Sequence, residues 1–189
     1  MKNNKAKKLL LIVDMVKGFV DFGPMSSPAI KRIVPNCIRE INAYRDKGYA
    51  IGFICDSHPE NAIEFNRFPV HCVENTAEAE ITDDLKYAEA FADIVFRKNA
   101  TSAMFAKGFI KALEEMTDLE EVEIIGCCTD ICVMNLAIIL KCYFDEMNRD
   151  VRVVIPKDAV DTYDSPTHNR EEWNEMAFRF LIQSGIEII

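Results

Sequence analysis

One pattern restricts the fold of this 189-residue chain more than any other: short, almost continuously apolar runs alternate with amphipathic segments of helical period. The runs are residues 8–13, 49–55, 94–96, 122–126, 151–155 and 186–189. A strand wetted on one face alternates apolar and polar side chains, whereas a run apolar throughout is covered on both faces. Between the runs, Ile30, Ile33, Val34, Cys37, Ile38 and Ile41 repeat at helical spacing before a stop at Gly48. Phe105, Phe109, Leu113 and Met116 mark a second helical face, and Trp173, Met176, Ala177, Phe180 and Leu181 a third. Strand–helix alternation predicts a three-layer α/β/α fold: a mainly parallel six-stranded sheet with helices on both faces.

The length fits a single domain, residues 1–189, in which the irregular stretch 57–91 breaks the rhythm as an insertion. A net charge of −9 argues against nucleic acid or an anionic membrane as partner. The longest apolar stretch, residues 131–140, is too short to span a bilayer. No secretory signal precedes the seven cysteines, an odd number placed partly inside apolar runs, so reduced thiols in the cytoplasm are expected. The basic start, residues 1–8, reads as a solvated segment. Residues 131–144 are apolar nearly all round except Lys141, so that helix is expected to bury a second face on another subunit or on the C-terminal helix.

Ligands of parallel α/β sheets gather beyond the carboxyl ends of the strands. There stand Asp14, Asp56-Ser57-His58, Arg97-Lys98 and the segment Cys127 to Cys132. With Thr129 or Asp130 as cap, Cys132 falls in the first turn of a helix, where free N–H groups and the dipole favour a thiolate and would face an oxyanion. Taken alone, Cys132 is equally well read as a small packing residue, as Cys127, Cys128 and Cys142 are. Asp14, closing a buried strand, is either a capping carboxylate or a general base for the thiol. Lys98 is either a surface lysine or the cation that keeps Asp14 ionised. Asp56 and His58, two apart on one strand face, could share a metal ion with His71 and Glu64 further on; imidazole and carboxylate suit zinc, iron or manganese.

Together these residues resemble the isochorismatase-like cysteine hydrolases, most closely the nicotinamidase branch. The resemblance is carried by Asp14, Asp56-x-His58, Phe68-Pro69-Val70-His71-Cys72, Lys98 with Ser102-Ala103, and above all Gly126-Cys127-Cys128-Thr129-Asp130-Ile131-Cys132-Val133. It implies Cys132 as nucleophile, Asp14 as general acid/base and Lys98 as its partner. It further implies a cis peptide bond entering residue 128 and an oxyanion hole formed by the amides of Cys128 and Cys132. One divalent metal ion, zinc above iron or manganese, would be held by Asp56, His58, His71 and Glu64, and Phe19 and Phe68 would sandwich the substrate ring. The chain departs from the family pattern at Val16 and Lys17, where Gln or Asn is usual, at Phe68 instead of Trp, and at Thr101 instead of an aromatic residue; all three places are expected to flank the ring pocket.

The activity this implies is hydrolysis of nicotinamide to nicotinate and ammonia in NAD salvage, by a protein that self-associates. The alternatives are a related amidohydrolase for another small amide, carbamoyl or ureido compound, and a fold member retained for binding alone.

Overall fold

The structure is a computed structural model and describes residues 5–189. Seven strands form one sheet: β1 (Lys8–Val13), β2 (Ala50–Asp56), β3 (Ile94–Lys98), β4 (Glu121–Cys127), β5 (Arg152–Ile155), β6 (Val160–Asp161) and β7 (Glu187–Ile188). Every pairing is parallel, in the order β3-β2-β1-β4-β5-β7, with β6 on the upper end of β4. The expected count of six is therefore one short. Two residues, one of them an aspartate, leave no apolar run by which β6 could be read.

Among the described residues five α-helices flank the sheet: α1 (Lys17–Val20), α2 (Pro28–Asp46), α3 (Phe109–Glu115), α4 (Met134–Glu146) and α5 (Arg170–Gln183). Leu9, Leu11 and Val13 pack on one side with Phe109, Leu113, Leu136, Leu140 and Phe144, while Leu10 and Ile12 pack on the other with Ile30, Ile33, Val34 and Ile41. The two faces of β1 thus serve two cores, which is why its sequence is apolar without alternation. Helix α2 starts as its sequence dictates, with Ser27 accepting a bond from the Ala29 amide and Pro28 in the first turn. Gly48, just beyond it, takes φ +67°.

Two aromatic residues leave their expected faces. Phe105 ends a 3-10 turn, Ala103–Phe105, before α3 begins and is 75% exposed. Phe180 is 57% exposed, because α5 buries Ala177 and Leu181 and turns its aromatic stripe to solvent. Helix α4 does pack against α5. At the basic start, Lys7 and Lys8 pair with Glu120 and Glu121, at 2.6 and 2.7 Å; residues 1–4 lie outside the described residues. Among the described residues no helix is long and apolar enough to cross a membrane.

The stretch 57–91 contains several 3-10 turns, is closed on itself by a bridge from His58 to Val73, and is tied to the segment after β1 by a bridge from Val16 to Ile81. At the end of β4, Gly126 has φ +111°, and a Cβ there would lie 2.1 Å from the Val13 carbonyl oxygen. That contact presses the end of β4 onto the end of β1, beside Asp14.

Candidate active site

Parallel register places the reactive side chains. Asp56 stands opposite Lys98 across β2 and β3, and Val13 opposite Gly126 across β1 and β4. Asp14 follows β1 in the left-handed region, φ +53°, where a non-glycine residue needs support. It has that support: its amide donates to the Ile54 carbonyl at 2.8 Å, and its Oδ1 accepts from the Asp56 amide at 2.9 Å. Lys98 Nζ lies 2.8 Å from Asp14 Oδ2, also bonds Asp56 Oδ1, and is 3.6 Å from Cys132 Sγ. Asp14, Asp56, Lys98 and Cys132 are all buried.

Burial and the neighbouring Asp56 push Asp14 up to about 7, against the pull of Lys98. Burial also penalises the ionised form of Asp56, yet Lys98, His58 and His71 hold it well below the ordinary carboxylate range. For Lys98, the two carboxylates outweigh desolvation and hold it well above the usual ammonium value. The Cys132 thiol is pushed well up by burial, with Lys98 only partly opposing this. Burial thus works against the thiolate expected from a helix terminus. A carboxyl group raised toward neutrality beside a thiol and an ammonium can take up a proton from that thiol.

The turn carrying Cys132 also differs from expectation. A π-type turn, Thr129–Val133, precedes α4, and both the Ile131 and Val133 amides donate to the Cys128 carbonyl. Thr129 and Asp130 lie inside this turn and cap nothing: Thr129 Oγ1 has no partner, and Asp130 Oδ2 bonds His168. The Cys127–Cys128 peptide bond is cis. All seven cysteines are free.

Beside the ammonium, Asp56, His58 and His71 bring one ligand atom each within 4.8 Å of one another. His58 Nδ1 is 2.8 Å from Asn99 Oδ1 and His71 Nδ1 is 2.7 Å from the Pro69 carbonyl, so each Nδ1 donates and each Nε2 turns a lone pair inward. The Nε2 atoms lie 3.5 and 3.7 Å from Asp56 Oδ2. His58 Nε2 is buried without a hydrogen-bond partner. A buried orphan acceptor facing a carboxylate, with outer partners fixing both tautomers, fits a divalent cation. Glu64, on the 3-10 turn Ile63–Asn66, lines the same cavity but stands outside this trio.

The cavity above the thiol measures about 30 Å³ and is walled by Phe19, Phe68, Met25, Ile131, Cys128 and Tyr163, with Asp14, Asp56, Glu64 and His71 at its polar end. Phe19 and Phe68 both approach the His71 ring, at 5.5 and 6.4 Å between centroids. Val16 and Thr101 do not line it; Val16 is spent in the bridge to Ile81 and the core beneath α2. A far larger cavity, about 690 Å³ between α2 and α5, is lined by neither thiol nor imidazole, so size does not mark the reactive place here. Asn99, Met25, Tyr163 and His168 were not legible as site residues. Asn99 directly follows Lys98, and His168 is the one histidine outside the metal pattern; these were the available signals.

The Isochorismatase domain model matches residues 8–189. Pyrazinamidase of Pyrococcus horikoshii, solved in complex with zinc, is 27% identical and aligns over 97% of this chain and 98% of its own, with a TM-score of 0.76. The pyrazinamidase/nicotinamidase of Streptococcus mutans shares the fold at a TM-score of 0.81 and 22% identity, over 96% and 99% of the two chains. N-carbamoylsarcosine amidase of Thermoplasma acidophilum does so at 0.77 and 24%, over 96% and 95%.

Proposed function

The chain belongs to the isochorismatase family, and from that premise we propose that it is a metal-containing cysteine amidohydrolase of the nicotinamidase type. It converts nicotinamide to nicotinate and ammonia, in one domain spanning the chain, as a cytoplasmic, self-associating enzyme of pyridine-nucleotide salvage. One observation carries the reading: a single buried ammonium, Lys98, touches Asp14, Asp56 and Cys132 at once, with two inward-facing imidazoles across Asp56.

In the proposed reaction Asp14 takes the Cys132 proton, and the sulfur attacks the amide carbon. The carbonyl π electrons move to oxygen, where the Cys128 and Cys132 amides hold the oxyanion. As the carbonyl reforms, the C–N bond breaks and Asp14 returns its proton to the leaving nitrogen, releasing ammonia. Water then attacks the thioester, Asp14 takes its proton, and collapse breaks the C–S bond. The sulfur leaves protonated from Asp14, and the acid is free. Lys98 stays charged throughout and balances whichever of Asp14 and Cys132 is anionic.

Asp56, His58 and His71 are the residues that would hold the metal, with Glu64 as a further ligand or the partner of a bound water. When bound, zinc, iron or manganese supplies a Lewis acid for the ring nitrogen. The pyrazinamidase solved with zinc supports this assignment. Phe19 and Phe68, against His71, then stand where a flat ring would lie.

The test is ammonia release from nicotinamide by the metal-analysed protein, before and after chelation; activity that survives complete metal removal would count against the reading. A second reading, hydrolysis of a small acyclic carbamoyl or ureido compound by the same residues, rests on the fold shared with N-carbamoylsarcosine amidase. Ammonia release from carbamoyl compounds but not nicotinamide would decide for it.

A further inference from the structure

The third histidine has no part in the proposed reaction, yet it is buried beside it. His168 Nε2 lies 2.9 Å from Asp130 Oδ2, inside the turn that carries Cys132, and its Nδ1 lies 3.0 Å from the Tyr163 carbonyl. The ring is thus held by both nitrogens, one at the Tyr163 carbonyl and one at the Asp130 carboxylate. The imidazole is also the middle of a three-ring stack. Tyr163 lies parallel to it at 3.9 Å and 11°, and Trp173 of α5 at 4.6 Å and 14°. Tyr163 is at the same time a wall of the cavity over Cys132.

The loop between β6 and α5 has little else to fix this ring. Ser165 and His168 exchange both backbone bonds, 3.0 Å each, to close a tight turn, and Thr162 and Arg170 amides are held by Asp161 and Asp164. Those bonds shape the loop upon itself. Arg170 and Asn174 of α5 bind Asp161 where the loop begins, and His168 ties its middle to Asp130 on one flank and through stacking to Trp173 on the other. The wall of the substrate cavity is therefore set from behind, by a residue that does not line it.

We propose that His168 is a positioning residue: by bonding Asp130 and stacking on Tyr163 it holds the Tyr163 ring flat against the cavity, and so selects planar ring amides over small acyclic ones. This deepens the amidohydrolase reading given above and rests on it for its kinetic test. His168→Gln keeps a donor toward Asp130 but removes the ring from the stack. It should raise KM for nicotinamide at least about tenfold while kcat stays within about threefold, with KM for an acyclic amide unmoved. Tyr163→Ala should give the same split. Trp173 is the chain's single tryptophan, so its emission reads the stack directly and should rise in His168→Gln. Unchanged KM in both variants, or a fall in kcat at constant KM, would overturn the proposal.

A second measurement does not need nicotinamide to be the substrate. Alkylation of Cys132 is followed by peptide mass in wild type and His168→Gln, with iodoacetanilide as a flat aromatic reagent and iodoacetamide as a small one. The ratio of the two rates should change at least about threefold; an unchanged ratio sinks the inference. If wild type releases no ammonia from nicotinamide, the proposed activity falls and this ratio alone decides the role of His168.

Discussion

Lys98 Nζ lies 2.8 Å from Asp14 Oδ2 with both side chains buried, so the ammonium is a structural counter-ion as well as a part of the proposed chemistry. Two carboxylates, Asp14 and Asp56, depend on it. Lys98→Met should leave them facing each other uncompensated and cost about 3–5 kcal/mol, read as a lower midpoint in urea. Cys132→Ala, which removes a thiol and leaves the ion pair whole, should unfold near the wild-type midpoint. If the two variants lose equal stability, the ion pair is not what holds this corner together.

Activity should divide the same residues differently. Cys132→Ala and Asp14→Asn should each lower kcat at least ~10³-fold, and the double variant little further, because nucleophile and base act as one unit. Steady-state ammonia release measures this. Independent, multiplying losses would show that Asp14 does not serve the Cys132 proton.

Metal dependence should reach beyond the ligands. His58→Ala should abolish metal retention on gel filtration. Asn99→Ala, which frees the His58 ring while leaving all three ligands, should weaken metal affinity about 10–100-fold by competition with a chelator. Added zinc should raise the melting temperature of wild type, through mass action on the folded state, and not that of His58→Ala.

A second buried acid, Glu123 on β4, predicts a pH dependence far from the chemistry. Burial, then Glu40 and Glu121, raise its carboxyl from 4.5 to about 7, while the Tyr44 hydroxyl at 3.3 Å and Lys8 act in the opposite direction. Its folded-state value exceeds the unfolded one, so the folded protein binds this proton more tightly. Stability is full below about pH 4.5 and falls as pH rises toward 7. Glu123→Gln should accordingly change little at pH 5 and gain about 1–3 kcal/mol at pH 8 in chemical denaturation. No gain at pH 8 would mean that the charged form is better solvated than its burial implies.

Asp14, Asp56, Lys98 and Cys132 were readable because each ends or follows an apolar run, and parallel pairing brings such ends to one rim. Asp56 and His58 were readable because alternate strand residues share a face. The thiol's ionisation was not, since a helix-terminal position speaks for a thiolate while the burial that opposes it arises only in three dimensions. Asp130 read as a cap for the same reason: its partner His168 lies 38 positions away, on a loop whose placement no local pattern encodes. Strand β6 was invisible because two residues carry no period, although they bring Asp161 opposite Cys127.

The backbone of Gly126 touches the carbonyl of Val13 with no room between them. Even the smallest substitution would have to wedge the thiol-bearing and acid-bearing segments apart before any reacting atom had been altered. A saturation library at this codon, sorted for turnover, should return one amino acid, and its losses would mimic those of an active-site lesion although the position offers no functional group.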